Sequence, residues 1–218
     1  SRLQKAKEVL DEALEGIRTL CEPVKAPKDT IDYIRYFCGE NTEDRDEVKK
    51  HEPKRLAFYK MVSHLVRAYS AIANEMEVAG YTKADADKIL KETIHYESAR
   101  AEVKLASADY IDLKAYEPAM RHLIDTYINA EESKVISAFD DMSLVELIVE
   151  RGESAVNSLP KNIRKNRQAV AETIENNLRK VIHDERPINP KYYENMSELL
   201  DELIQQRRAE AIEYEKYL

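Results

Sequence analysis

The sequence predicts an all-α fold: an irregular multi-helix bundle of about seven to nine helices, forming a single domain over residues 1–218. Three observations carry this. Apolar residues recur every three or four positions along most of the chain, the spacing of one buried helix face. Only 4 glycines occur in 218 residues, where average usage would give about 15, too few for the turns of a sandwich or barrel. The breaks between helical stripes are short, with no internal repeat and no low-complexity linker, which favours one continuous helical domain over two.

The elements follow in order. Leu3, Ala6, Leu10, Ala13, Ile17 and Leu20 define a first helix, which Pro23 and Pro27 end. Asp29 or Thr30 caps a short helix through Phe37, stopped at Gly39. The charged stretch GENTEDRDEVKKHEP reads as a loop with one exposed helical turn. Pro53 suits the first turn of the next helix, whose stripe is Leu56, Tyr59, Val62, Val66, Tyr69, Ala73 and Met76, ending at Gly80. Thr82 with Asp85 resembles a capping box and opens a helix to about Leu105. ASADYIDLKAYEP is a connector, and Pro118 restarts a helix carrying Met120, Leu123, Ile124, Tyr127 and Ile128. Ser143 and Glu146 form a capping box for a short helix closed by Gly152. After the break at Leu159-Pro160, one long helix from near Asn162 carries Ile163, Val170, Ile174, Leu178 and Val181. Asn189-Pro190 opens the final helix. The chain starts at Ser1 and stops in helix-like sequence, which reads as a fragment cut from a longer protein.

Composition excludes several chemistries. With 34 Lys+Arg against 42 Asp+Glu the net charge is -8. The 43% hydrophobic and 35% charged content is too apolar for disorder and too charged for a membrane protein. No apolar run approaches the roughly 18 residues of a membrane span. Gly16, Gly39, Gly80 and Gly152 are too far apart for a phosphate loop or a dinucleotide fingerprint. Cys21 and Cys38 make no zinc spacing and read as reduced thiols of a cytoplasmic protein, with a single disulfide as the alternative.

Candidate chemistry is sparse. Among His51, His64, His95, His122 and His183, only His95 has a carboxylate at metal-ligand spacing, Glu92, and one such pair reads as a surface pair. Glu47-Val48-Lys49, Glu102-Val103-Lys104 and Glu132-Ser133-Lys134 match the letters of a nuclease Glu-x-Lys, but all lie in helical pattern, where the three groups do not converge on Mg²⁺. Cys38 lacks an orienting partner or an oxyanion hole. Two clusters remain. Lys161, Arg164, Lys165 and Arg167 lie in KNIRKNR, four cations with no anion, at a helix start where the dipole disfavours them. They fit a nucleic-acid phosphate, or pairing with this protein's own carboxylates. In the final helix, Tyr193, Met196, Leu200 and Leu203 should pack on the body, while Arg207, Tyr214 and Tyr217 fall on an outer half offered to a partner or to solvent.

DYIDLKAYEPAMRHLIDTYINAEESKVISAFDDMSLVELIVERG, LPKNIRKNRQAVAETIENNLRK, INPKYYENMSELLDELIQQRR and IRYFCGE resemble the C-terminal region of type I restriction endonuclease R subunits. The resemblance covers most of the chain from about Thr30 onward. One departure is Ala108, where the block would carry Gly before DYIDLK. The resemblance implies a cytoplasmic parent with an N-terminal nuclease domain, two ATP-driven DNA-translocating motors and this helical region, which docks on the methylase and specificity subunits. Such a parent cleaves unmethylated DNA with ATP and Mg²⁺. Its nuclease and motor motifs have no counterpart here, so the resemblance assigns no catalytic, cofactor or metal residue to this chain. It implies an assembly domain that reaches DNA through the full complex. The alternative is a helical domain that contacts DNA directly through residues 161–167.

Overall fold

A computed structural model describes residues 1–44, 46–109, 139, 142–210 and 212–218. These residues are helical and contain no strand. Helix α1 (Arg2–Cys21) is capped by Ser1 and turns Leu10, Ala13, Leu14, Ile17 and Cys21 inward. They pack on α4 (Glu52–Ile72), which has a proline in its first turn. Between them lie α2 (Thr30–Cys38) and the four-residue α3 (Glu47–Lys50). In α2 the Asp32 carboxylate accepts from the Asp29 N–H, and Tyr33, Ile34, Phe37 and Cys38 are buried. Gly39 ends α2 at φ 103°, and a Cβ there would sit 2.0 Å from the Glu47 side chain. Both the left-handed backbone and the space require glycine.

Helix α5 (Lys83–Ser107) is the central strut, against α2 and α4 on one side and α8 (Arg167–Glu185) on the other. The Thr82 hydroxyl accepts from the Asp85 N–H at its start. The shorter α6 (Leu144–Arg151) carries both halves of the Ser143–Glu146 capping box, and a 3-10 segment (Gly152–Ser158) and α7 (Lys161–Arg164) follow. Asn189 caps α9 (Pro190–Arg208) through the Tyr192 N–H, and the chain closes with α10 (Tyr214–Tyr217). The helix expected after Pro118, with His122 and Glu132-Ser133-Lys134, lies outside the described residues.

Four expectations are corrected. Helix α4 stops at Ile72 instead of Gly80, and turns carry Met76 into the core. Val62, Val66 and Tyr69 face inward as expected, but at the start of the stripe Leu56 is 48% exposed while Arg55 is buried, because the guanidinium has partners inside. The single helix expected from Asn162 is two. Asn166 breaks it by leaving the helical backbone and accepting from the Ala169 N–H, a better use of an Asn than a helix interior. In α9 Leu200 and Ile204 pack on the body as expected, but Met196 and Leu199 are exposed, and Arg207, expected on an outward half, turns inward.

The departure at Ala108 coincides with strained backbone. Ala108 is the C-cap of α5 at φ 61°, ψ 22°, with its N–H on the Leu105 carbonyl. An L-residue with a Cβ pays roughly 1–2 kcal/mol there, and glycine's looser unfolded chain offsets part of any gain. Ala108→Gly should raise stability by about 0.5–1 kcal/mol, read from the urea midpoint. An unchanged or lowered midpoint contradicts this account.

Candidate functional site

The basic cluster is split by the break at Asn166. Lys161 and Arg164 sit on α7, Lys165 is its C-cap, and Arg167 opens α8. All four are exposed. Ile163 beneath them is fully buried and Leu159 anchors the approach, so a rigid apolar underside holds up a charged outer surface. Among the described residues Lys161, Arg164 and Lys165 make no ion pair and no side-chain hydrogen bond. Arg167 instead lies over the Tyr214 ring, 5.2 Å from its centroid. Three cations free of internal carboxylates are available to a phosphate at modest desolvation cost.

The candidate partner surface is arranged otherwise. Arg207 reaches back to Glu175 on α8, giving Nη2 to both carboxylate oxygens at 2.7 and 3.1 Å and Nε to one at 2.9 Å. The Tyr217 hydroxyl donates to the same carboxylate at 2.8 Å. Glu175 is 0% exposed, so Arg207 and Tyr217 serve the interior. Burial beside this carboxylate pushes the Tyr217 hydroxyl well above its ordinary value. Tyr214 packs against Arg167. The turn after α9 therefore folds the chain end back, where a continuous outward helix was expected.

Glu92, His95 and Glu102 have structural partners. Glu92 is held by Arg18 at 2.6 Å, while the His95 ring bonds the Tyr33 hydroxyl at 2.9 Å, so the two do not pair with each other. Burial outweighs Glu92 and lowers the His95 pKa. Glu102 accepts from Thr30 and Asn162. Cys21 and Cys38 are free thiols inside the core, each pushed up to about 12 by burial. That fits the reduced-thiol expectation and makes Cys38 a poor nucleophile. Among the described residues no group of three His, Cys, Asp or Glu is placed to hold a metal ion, and no helix is long and apolar enough to cross a membrane.

Sequence reasoning missed a polar interior. Helix α8 buries Glu172, Glu175, Asn176, Asn177 and Arg179. Arg35 reaches Glu172 at 3.3 Å, Asn177 donates to the Leu105 carbonyl at 2.8 Å, and Arg179 donates to the Thr42 carbonyl and Asp201. Burial raises the Glu172 pKa in spite of Arg35, which lowers it. Beside α8 a cavity of about 240 Å³ is lined by Lys49, Arg55, Asp109, Asn176, Arg179 and Lys180, among others. Arg55 is committed to Asp109, Arg179 to Thr42 and Asp201, and Lys180 to the Ala108 carbonyl. The hint in the sequence was Arg207, at a position where the stripe of the final helix calls for an apolar residue. No protein-family model, curated protein or solved structure matches the chain.

Proposed function

We propose that this chain is the helical assembly domain of a type I restriction R subunit, docking that subunit on a methylase and specificity core. The observation behind it is that the blocks carrying the resemblance supply the core and are bound to one another. IRYFCGE contributes Ile34, Phe37 and Cys38; LPKNIRKNRQAV contributes Leu159, Ile163, Ala169 and Val170; the INPKYY block contributes Leu200 and Ile204. Arg35 to Glu172 and Arg207 to Glu175 join these blocks in pairs. The resemblance thus runs through residues that fix the fold as well as through the surface. On this reading the ATP- and Mg²⁺-dependent steps belong to other domains of the parent, in the cytoplasm.

A direct DNA role is favoured by one feature, Lys161, Arg164 and Lys165, which are unpaired among the described residues. One titration separates the readings: the chain against a methylase–specificity core and against duplex DNA, at several salt concentrations. Assembly through packed helices gives a complex with the core that barely responds to salt. Phosphate binding gives DNA affinity with a steep log-log salt slope. That slope should flatten by roughly 0.9 for each phosphate that Arg164→Ala/Lys165→Ala leaves unneutralised. Absence of any complex with the core overturns the assembly reading; an unchanged slope overturns the DNA one.

A further inference from the structure

One face of α9 is apolar and bare. Tyr192 is 53% exposed, Met196 37% and Leu199 51%, and the half-buried Leu203 continues the row. Ile188, 77% exposed, extends it just before the helix. The spacing from 192 to 203 runs four, three, four, which keeps these side chains on one stripe. That stripe lies beside the buried row of Ser197, Leu200 and Ile204, so the body does not cover it.

The order of the stripe identifies what covers it. In a two-fold pair, residue i of one copy meets j of the other and j meets i. An antiparallel pair centred between Ser197 and Glu198 sets Tyr192 against Leu203 and Met196 against Leu199. The two large, flexible members each face a leucine, and no polar residue enters the seam. The outer edge carries one complementary pair in the same register, flanking Glu198, which is exposed and meets its own counterpart at the two-fold axis. Lys191 and Glu202 are exposed and have no partner among the described residues. In the pair they stand about 3 Å apart along the axis, at 1.5 Å of rise per residue, so each Lys191 meets the other copy's Glu202. A parallel pair would set Lys191 against Lys191 and Glu202 against Glu202, which is repulsive. We infer that α9 is a self-association surface on which a second copy of this chain seats through an antiparallel helix pair.

This inference stands independently of the proposed docking role. The test is sedimentation of the 218-residue chain from low to several hundred micromolar. The expected result is a mass rising from 25.2 kDa toward twice that value. Leu199→Glu should remain monomeric with an unchanged helical circular dichroism signal. Lys191→Glu and Glu202→Lys should each weaken association on the order of tenfold. An equimolar mixture of those two variants should recover it, since both cross-pairs then join opposite charges. A monomer throughout the range overturns the inference. So does a dimer that survives Leu199→Glu, or a charge-swapped mixture that associates no better than its components.

Discussion

Arg207→Met should lower stability by about 3–5 kcal/mol, the loss typical when one partner of a buried ion pair is removed. The reason lies in what stays behind. Glu175 is 0% exposed and, among the described residues, keeps only the Tyr217 hydroxyl as donor. A carboxylate stripped of its guanidinium in that setting is not rehydrated, because α8 is covered at this level by its neighbours. The contrast that isolates the mechanism is Arg207→Met combined with Glu175→Leu. Removing both charges and keeping the volume should restore most of the loss, with the urea midpoint as readout. A double variant as unstable as the single one would mean that packing, and not the stranded charge, is responsible.

Arg55→Ala should be comparably damaging, by roughly 3–5 kcal/mol. Arg55 is 1% exposed and is the largest fully buried side chain among the described residues. Its Nε donates to Asp109 at 2.9 Å, and Nη1 donates to the Phe37 and Val48 carbonyls. It ties the end of α2, the turn of α3 and the end of α5 to one point on α4. Truncation leaves a void, two carbonyls without donors and a carboxylate without its cation. Burial alone would raise the Asp109 pKa; hydrogen bonds from Arg55 and Tyr59 outweigh it and hold the carboxyl below the ordinary range. A carboxylate depressed in the folded state stabilises above its unfolded value, about 3.9, and loses that contribution as pH falls through the folded value. The gap between wild type and Arg55→Ala should therefore narrow below about pH 4. A gap constant with pH would assign the effect to the void alone.

Element ends were legible where local chemistry decides them. Ser143 with Glu146, Asn189 before Pro190, and Gly39 after Cys38 each mark a boundary through a hydrogen bond or a backbone angle formed within a few residues. The interior was less legible because distant segments decide it. Periodicity puts Leu56 inside and Arg55 outside, since it has no knowledge of Asp109, 54 residues away, waiting as a partner. It leaves Glu172, Glu175, Asn176 and Asn177 on a solvated face, although Arg35, Arg207 and the Leu105 carbonyl make that face internal. The basic cluster was visible as letters, but whether Lys161, Arg164 and Lys165 meet a carboxylate among the described residues depends on how the surrounding helices are turned. Arg207 stood out for breaking the stripe, and the break was meaningful; its partner proved to be Glu175 in the same chain.

The polar face of α8 bears on how many ways this bundle can be assembled. An apolar helix in the same groove has several seatings of nearly equal energy, related by small slides and rotations. Here Glu172 answers to α2, Asn177 to α5, Arg179 to the loop after α2 and to α9, and Glu175 to α9 and α10. Slipping α8 by a single residue turns each of these groups by 100° and disconnects all of them at once. Helix α8 behaves like a key with several wards: the directional bonds add little net energy over a greasy interface, yet they leave one seating far below the others and so remove degeneracy from the packed state.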